Sequence, residues 1–295
     1  MIVRWMSAWA LLVFSAGAWA ISPYVQGDAV AGGSVRDAAA AVEAKLKNSG
    51  FKVIGRYFPA NLDGRGVVVA TDDTALEAIG KEGDNAILGA PIRVGVKADG
   101  SVMYANPDYW FRAYYRTDFH KAETVARSLQ ARLKQTLGAG REVGGDETAQ
   151  SLANYRYMLG MERLNSPKKK LAKYGSFDEA LKTVRDNLAK GVGKTSKVYE
   201  VVMPEHKLAI FGVAMNDGEN SDGSWIQRIG RQDFVAALPY EIYIVDDEVR
   251  SPFGRFRIAL AFPDVGMGEF MRIAFLPGAI FRTMSAVAGV EPSSR

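Results

Sequence analysis

The sequence predicts an α+β fold, in which two related antiparallel-sheet-plus-helix copies form an intrachain pseudo-dimer and a helical connector joins them. Three observations lead to this prediction. Amphipathic helices with clear start and stop residues precede runs of short strands, the strands are joined by Asp/Gly turns that favour antiparallel pairs, and this order of elements occurs twice. At 295 residues the chain also reaches the length at which one large or two smaller domains are expected.

Residues 1–20 predict a secretory signal peptide that is cleaved after Ala20. Arg4 precedes an apolar run at 5–14, and the segment closes with Ala-Trp-Ala, a small-x-small cleavage pattern. The apolar run is shorter than the roughly 20 residues that a membrane-spanning helix needs, although an uncleaved anchor is the alternative. We therefore expect a periplasmic or secreted protein with a flexible leader at 21–33, where small and turn-forming residues predominate.

The first copy is predicted at 34–117. Its opening segment, SVRDAAAAVEAKLKNSG, has a Ser that can cap a helix, apolar residues at helical spacing and a Gly that can end it. FKVIGRYF then suits a half-buried strand. Further along, APIRVGVKADGSV predicts a Pro-led strand, an acidic turn at Asp99-Gly100 and a second strand. The predicted order is helix, four strands and helix, with the helices on one face of the sheet.

The last helix of the first copy is predicted to begin at Pro107, because Asn106 can cap it and a proline suits the first turn. Aromatic side chains one turn apart are expected to stack on each other, Trp110 on Tyr114 and Phe111 on Tyr115. Such a helix is mostly buried. Arg112 and Arg116 share the remaining edge, which faces water or an acidic partner, and both are candidates for ligand binding.

The second copy is predicted at 174–275, after a helical connector at 118–173. SFDEALKTVRDNLAKG repeats the cap, the apolar face and the Gly stop of the first helix at a constant spacing. LPYEIYIVDDEV parallels the Pro-led strand and its acidic turn, and FPDVGMGEF (262–270) parallels NPDYWFR before an apolar helix. Residues 276–295 are expected to form a C-terminal tail or helix.

One stretch of the first copy, PIRVGVKADGSVMYANPDYW, resembles the small periplasmic and archaeal domains of domain-of-unknown-function family 302. In that family a Pro-led strand and an acidic turn precede a Tyr-x-Asn-Pro segment that opens a helix. KLAIFGVAM of the second copy is similar to the family's strand ending in Phe-Gly, at Phe211-Gly212, although Val213-Ala214 replaces the usual Asn-Pro. The first copy has VVVATDD in place of Phe-Gly, and the second has Ala-Phe-Pro in place of Tyr-x-Asn-Pro. The resemblance implies an α+β domain that tends to dimerise, and it brings no activity or catalytic residue.

Charge and composition argue against several function classes. The formal net charge is only +4, and the densest basic run, Lys168-Lys169-Lys170, is interpreted as a solvated linker, so we expect no nucleic-acid partner. The chain has no cysteine, which removes haem attachment through CxxCH, iron–sulfur clusters, thiol catalysis and Cys-type zinc sites. GAGREVGG lacks the Lys-Ser/Thr of a P-loop and follows a helix. We therefore expect neither a cofactor nor a metal.

The sharpest candidate for a ligand site is a polar face of the second sheet. GRFRIALAF predicts a strand with Arg255 and Arg257 on one face, and Glu241 and Tyr243 alternate in the same way on a nearby strand. Two arginines, a glutamate and a tyrosine could bind an anionic small molecule or a protein partner. Pairing of arginine with glutamate inside the chain is the alternative.

Candidates for a reaction are sparse, since the histidines are His120 and His206. Neither stands in an HExxH, HxH or GxSxG pattern, and each lies where a helix start or a turn is expected. NDGENSDGS (216–224) is interpreted as a mobile loop, because its spacing does not fit a calcium-binding EF-hand. The paired acids are interpreted as turn residues, at Asp72-Asp73 and Asp246-Asp247.

The sequence therefore favours an exported, non-enzymatic binding or accessory module for a small molecule or a periplasmic protein, acting as a monomer. The groove between the two copies is the expected ligand site. One alternative is a hydrolase-type enzyme that uses carboxylates and His206. Another is a protein that contacts a membrane surface through its apolar C-terminal segment, which carries Arg272 and Arg282 and could equally pack as a terminal helix.

Overall fold

The computed structural model describes residues 20–156, 162–166 and 170–291. It is mixed α/β, with two antiparallel sheets and several helices, as the sequence predicts. The predicted signal peptide up to Trp19 lies outside the described residues, and so do Lys168 and Lys169 of the predicted linker. Within the ranges given, no helix has both the length and the apolar character needed to cross a membrane.

A first unit of the chain contains five strands and four α-helices, with a 3-10 segment at Asp84–Gly89 and another at Arg116–Lys121. In chain order its elements are β1 (Tyr24–Gln26), α1 (Val35–Asn48), β2 (Lys52–Tyr57), β3 (Arg65–Thr71), α2 (Asp73–Glu82), β4 (Ile92–Lys97), β5 (Val102–Ala105), α3 (Pro107–Tyr115) and α4 (Glu123–Leu137). Two short elements follow it, β6 (Glu142–Val143) and α5 (Ala149–Ala153). The predicted helical connector therefore holds α4 and α5, but it also contains strands.

A second unit has its elements in the same order, with a 3-10 segment at Val235–Ala237 before its third meander strand. They are β7 (Lys170–Lys173), α6 (Phe177–Ala189), β8 (Thr195–Met203), β9 (Leu208–Met215), α7 (Asp222–Arg228), β10 (Tyr240–Val245), β11 (Glu248–Arg250), α8 (Gly254–Ala261), α9 (Met267–Met271) and α10 (Leu276–Val287). The short α9 has no counterpart helix in the first unit.

The two sheets have the same strand order. The first sheet runs β2-β3-β4-β5-β1-β6, and the second, taken from its β8 edge, runs β8-β9-β10-β11-β7. In each, the strand that begins the unit pairs with the last strand of a four-stranded meander. In each sheet the edge strand of the meander also shifts its register against its neighbour at the same place. The shift lies between Val53 and Gly55 where β2 pairs with β3, and between Lys197 and Tyr199 where β8 pairs with β9.

Helices α1 and α6 begin as the sequence predicts. The Ser34 side chain accepts a hydrogen bond from the backbone N–H of Asp37, and Ser176 accepts one from Glu179. Each helix buries the apolar face that its spacing indicates, with Val42 and Val184 at the centres of the two faces.

The 3-10 segments dock the two units onto each other. Residues Asp84–Gly89 of the first unit contact β9 and β10 of the second, and Val235–Ala237 of the second unit contact β3, β4 and β5 of the first. Ion pairs accompany both contacts, Asp84 with Arg250 and Asp233 with Arg65. The centre of the molecule is therefore a packed interface between the units, where a groove was expected.

The predicted flexible leader at 21–33 is wrong in part. Tyr24 and Val25 are fully buried, because β1 pairs with β5 on one side and with β6 on the other. The glycines that suggested flexibility, Gly27, Gly32 and Gly33, lie after this strand. An inserted strand of three residues is too short to show an alternating pattern in the sequence.

The predicted strand GRFRIALAF is also wrong, because these residues form helix α8. A short apolar run reads equally as a strand or as a buried helix, and α8 is buried on nearly all sides, so no period distinguishes the two. Arg255 and Arg257 therefore do not share a face: Arg257 is buried and Arg255 is exposed. By element order, the counterpart of α3 is α8 rather than residues 262–270.

Two predicted loop segments are helical. Asp72 caps α2 by accepting from the backbone N–H of Ala75, and Asp73 begins that helix, so the pair is not a turn. Residues 216–224, predicted as a mobile loop, hold a 3-10 turn and the start of α7. The other acidic pair, Asp246-Asp247, does lie in a turn between β10 and β11.

The C-terminal segment packs against the second unit. Helix α10 contacts α8, α6 and β7 and buries Leu276, Ile280 and Met284 on its inner face. Three large apolar side chains just before or at the start of this helix remain exposed: Met267, Met271 and Phe275.

Candidate functional site

Between the two sheets lies an ionic cluster of Arg93, Glu241 and Arg257, each at most 3% exposed. Arg257 on α8 donates two hydrogen bonds of 2.9 Å to the Glu241 carboxylate and a third to the carbonyl of Ala237. Arg93 on β4 forms an ion pair with the same carboxylate. Two predicted ligand-binding residues, Glu241 and Arg257, are thus brought together and bind each other.

Aromatic side chains enclose the ionic cluster. The guanidinium carbons of Arg93 and Arg257 each lie 4.9 Å from the centre of a Trp110 ring, a cation–π geometry. The hydroxyls of Tyr24 and Tyr199 are buried and lack a hydrogen-bond partner among the described residues. Burial raises the pKa of both tyrosines, so they stay neutral.

The interior beside the cluster has no room for an organic ligand. A cavity of about 20 Å³ adjoins Arg93, Trp110 and Tyr114, which is space for about one water molecule. The polar sheet face predicted as a ligand site is therefore closed, and pairing inside the chain accounts for it. Tyr243 is likewise engaged, since its hydroxyl donates to the Asn85 side chain over 3.0 Å.

A more open site lies at the end of α3, and we call it the Arg116 pocket. It has a volume of about 270 Å³. Its walls come from the end of α2 and the following 3-10 segment, from the end of α3, and from the segment after α5. The lining residues are Glu82, Gly83, Asp84, Asn85, Ala86, Tyr114, Tyr115, Arg116, Thr117, Asp118 and Asn165.

Arg116 is the cation in the lining of this pocket. It follows α3 with φ of +57°, in the left-handed region that is costly for a side-chain-bearing residue. Its Nε donates to the carbonyl of Ala153 over 3.1 Å, whereas Nη1 is buried and has no hydrogen-bond partner among the described residues. Burial, and then the nearby charge of Arg163, lowers the pKa of Arg116.

Tyr115, which also lines the Arg116 pocket, carries a second unsatisfied polar atom. Its ring stacks on Phe111 with centroids 5.6 Å apart, which fixes the side chain in the core. Its hydroxyl is buried and lacks a hydrogen-bond partner in the described part of the chain. Burial, followed by the charge of Glu82, raises the pKa of Tyr115, so the hydroxyl is a neutral donor at physiological pH.

Carboxylates on the rim of the pocket have cationic partners. Lys121 lies 3.1 Å from Glu82 and 3.4 Å from Asp118, and Asp84 pairs with Arg250 of the second unit. The Asp118 side chain is 49% exposed, so it faces both the pocket and solvent. None of these pairs involves Arg116.

The corresponding corner of the second unit is occupied by ion pairs. Arg231, which follows α7, lies 3.4 Å from Asp264 and 3.3 Å from Glu269. The carboxylates that follow α8 therefore neutralise the arginine there. The Arg116 pocket differs because its arginine has no carboxylate partner among the described residues.

The remaining predicted residues lie elsewhere. Arg112 donates to both oxygens of Asp108 over 3.1 Å and lies over the Phe119 ring. Arg255 lines an apolar groove of about 300 Å³ between α8 and α10, together with Phe253, Pro277, Phe281 and Met284. Neither arginine adjoins the Arg116 pocket.

The histidines do not meet other catalytic groups in the described residues. His206 is exposed in the turn after β8, with its ring against Gly80 of α2, and His120 is exposed after α3. Across residues 20–156, 162–166 and 170–291, no group of three His, Asp or Glu side chains could hold a metal ion.

The sequence does not predict that Asp222 is a buried titratable group. Asp222 at the start of α7 is fully buried and accepts hydrogen bonds from Tyr57 of the first unit, from the backbone N–H of Met215 and from the Trp225 indole. Burial raises the pKa of Asp222 to about 6. An acid inside NDGENSDGS gives no sequence signal of burial, because its neighbours are typical loop residues.

Comparisons with known proteins give no relative: no protein-family model, curated protein or solved structure matches the chain. The resemblance to family 302 therefore stays a prediction from the quoted motifs.

Proposed function

We propose that the protein is a non-enzymatic binding module for a small molecule that carries an anionic group, and that the Arg116 pocket is its site. One observation carries this proposal. The lining of a 270 Å³ pocket contains two buried donors without partners among the described residues, Arg116 Nη1 and the Tyr115 hydroxyl.

Unsatisfied buried donors cost free energy, on the order of 1–3 kcal/mol each, so a ligand that accepts from them gains that amount back. A guanidinium and a phenol together favour a carboxylate or phosphate oxygen, because the guanidinium offers only donors and its fork matches such groups. The pocket is slightly smaller than the roughly 300–1,000 Å³ typical for drug-sized ligands. A small metabolite therefore fits better than a large cofactor.

Ligand-observed NMR tests this proposal. Propionate and inorganic phosphate are added separately to the chain from Ile21 onward, and saturation transfer to propionate and the change in ³¹P linewidth of phosphate are measured. We expect at least one anion to bind, and Arg116→Ala to abolish its binding. Arg112→Ala is the matched control, since this arginine lies one turn earlier and is held by Asp108. Binding that survives Arg116→Ala would overturn the assignment of the site.

We further propose that the two units arose by internal duplication and form a pseudo-dimer in one monomeric chain. The support is the shared order of elements, the shared strand order and the irregularity that both edge strands carry at the same place. Analytical ultracentrifugation tests the oligomeric state, and a single species at the monomer mass is expected.

We also propose that the protein is exported. The support is the signal-peptide pattern of residues 1–20. The ligand would then be a small molecule of the periplasm or the medium, with a periplasmic protein as the alternative partner. N-terminal sequencing of the protein from its own cells is expected to begin at Ile21. The hydrolase alternative would use carboxylates, with or without His206, which lies exposed in the turn after β8.

Contact with a membrane surface is a second candidate function. Met267, Met271 and Phe275 are exposed apolar side chains, and the same segment carries the exposed Arg272 and Arg282. Cosedimentation with vesicles of mixed zwitterionic and anionic lipid tests it. Binding that Met271→Ser weakens would support this function, and no cosedimentation would contradict it.

A further inference from the structure

The charged residues around the Arg116 pocket indicate which charged groups its ligand carries. The pocket is lined by one cationic side chain, Arg116, and by three carboxylates, Glu82, Asp84 and Asp118. Two cations outside the lining, Lys121 and Arg250, pair with these carboxylates. The site therefore has a cationic inner end and an acidic rim.

We propose that the Arg116 pocket takes a zwitterion, a small molecule with a carboxylate and an ammonium group such as an α-amino acid. This inference rests on the proposed function and names its ligand class. The ligand carboxylate accepts from Arg116 and the Tyr115 hydroxyl. The ligand ammonium lies toward the acidic rim, where Asp118 is half exposed, lies 3.4 Å from Lys121 and can accept a further donor.

Electrostatics favours this class over a simple anion. A phosphate dianion at Arg116 would carry no positive group for the acidic rim, and its two negative charges would gain nothing from the carboxylates there. An α-amino acid adds no net charge, and each of its ends meets the opposite sign. The ammonium also supplies three donors, which match carboxylate oxygens.

The polar lining is consistent with a compact ligand. Thr117 and Asn165 add a hydroxyl and an amide to the lining, and Gly83 and Ala86 leave space because their side chains are absent or small. The tyrosine rings, in contrast, are held in the core and can move little. A short aliphatic or polar ligand side chain therefore fits the remaining volume better than a long one.

Isothermal titration with three matched probes tests the inference. L-Alanine carries both charged groups, propionate lacks the ammonium and ethylamine lacks the carboxylate. We expect L-alanine to bind at least ten-fold more tightly than either of the others. Asp118→Asn should reduce the affinity for L-alanine about ten-fold and leave that for propionate unchanged or raised, whereas Arg116→Ala should abolish the binding of both.

Each contrary result has a distinct meaning. If propionate binds as tightly as L-alanine and Arg116→Ala removes both, the zwitterion is wrong and the anion site stands. If none of the three probes binds, the zwitterion is overturned, and the proposed function then depends on the phosphate measurement. If binding is unaffected by Arg116→Ala, the zwitterion and the proposed function are both overturned. Arg112→Ala is again the control, and its titrations should match those of the unmodified chain.

Discussion

Arg93 and Glu241 occupy matching positions in β4 and β10, each two residues after a strand-leading proline, and they form a buried ion pair with each other across 148 residues of chain. In a dimer of identical chains the same position would bring two like charges together. Two units of one chain can instead hold opposite charges there. The pair is therefore a contact that fixes how the two units face each other.

Removing the carboxylate of this pair should destabilise the protein strongly. Glu241→Gln would leave two buried guanidinium groups, Arg93 and Arg257, without their anion. We expect a loss of about 3–5 kcal/mol in the free energy of unfolding, because an uncompensated buried charge is costly. Urea denaturation followed by tryptophan fluorescence measures it.

A second variant separates charge from shape. Replacing the whole cluster, with Arg93→Met, Glu241→Leu and Arg257→Met together, should restore much of the stability that Glu241→Gln loses, since a well-packed apolar triad can equal a buried ionic one. If the triple variant is as unstable as Glu241→Gln, the interface depends on the specific hydrogen bonds and the argument from unpaired charge is incorrect.

Asp222 should make stability depend on pH in an unusual direction. Burial raises its pKa from 3.8 to about 6, so the folded chain holds this proton more tightly than the unfolded chain. The stabilisation from this group is fully present below the unfolded pKa of about 4 and is lost as the pH rises through about 6, a change on the order of 3 kcal/mol.

Comparison with Asp222→Asn isolates this group, because the amide does not titrate. The difference in unfolding free energy between the two proteins is measured from pH 4 to pH 8. We expect it to shift in favour of Asp222→Asn as the pH rises, even though the amide cannot accept all three hydrogen bonds. A difference that is constant across this range would show that Asp222 ionises normally.

Glycines at close approaches between the units should not tolerate a methyl group. A Cβ at Gly223 in α7 would lie 2.0 Å from the carbonyl oxygen of Ala60 in the first unit. Gly223→Ala should therefore cost roughly 1–3 kcal/mol through overpacking. Gly268 in α9 has no atom within 4 Å of such a Cβ, so Gly268→Ala should be neutral or add up to about 1 kcal/mol.

Thermal unfolding of both alanine variants checks this contrast. Equal melting temperatures would mean that the segment around Ala60 does not pack on α7 as described. Because both sites are helical glycines, helix propensity alone would move the two melting temperatures in the same direction.

Tyr115→Phe should separate stability from binding. Removing an unsatisfied buried hydroxyl is expected to leave stability unchanged or raise it by about 1 kcal/mol. Propionate affinity should fall several-fold, because the ligand loses a donor. A variant that loses stability while keeping its affinity would show that the hydroxyl has a structural partner and does not serve the ligand.

Local signals in the sequence predicted much of the fold. The sequence predicts Ser34 and Ser176 as helix caps, and it predicts the stack of Phe111 on Tyr115 from a spacing of four residues. Trp110 and Tyr114 also meet at this spacing, but their rings are tilted by 37°. These features depend on near neighbours in the chain. For that reason they can be predicted without the tertiary structure.

Features that depend on distant parts of the chain could not be predicted. Helix α8 is enclosed by other elements, so its apolar residues are not confined to one side and their spacing shows no helical period. For that reason the prediction of a strand carrying Arg255 and Arg257 is wrong. β1 forms because β5 and β6 flank it, and its three residues alone carry no strand pattern. Tertiary context overrides local propensity in both cases.

The candidate site was predicted in part. The spacing predicts Arg116 on a helix edge shared with Arg112, but α3 ends at Tyr115, and Arg116 follows it with a left-handed backbone and lines a pocket that Arg112 does not reach. The spacing of Tyr115 predicts a core residue, and its ring does lie in the core. The spacing gives no indication that the buried hydroxyl lacks a hydrogen-bond partner in the described part of the chain. Asp118 of the acidic rim is two residues from Arg116, but Glu82 and Asp84 lie more than thirty positions earlier in the chain, so sequence spacing does not predict that they meet Arg116.

The measurement that tests the central claim most directly is anomalous diffraction from crystals of the chain soaked in 3-bromopropionate, whose bromine marks the position of a bound carboxylate. We expect an anomalous peak in the Arg116 pocket, with the carboxylate within hydrogen-bond distance of Arg116 Nη1, and no such peak in crystals of Arg116→Ala. An anomalous signal confined to the apolar groove beside Arg255, or none in the protein at all, would contradict the account.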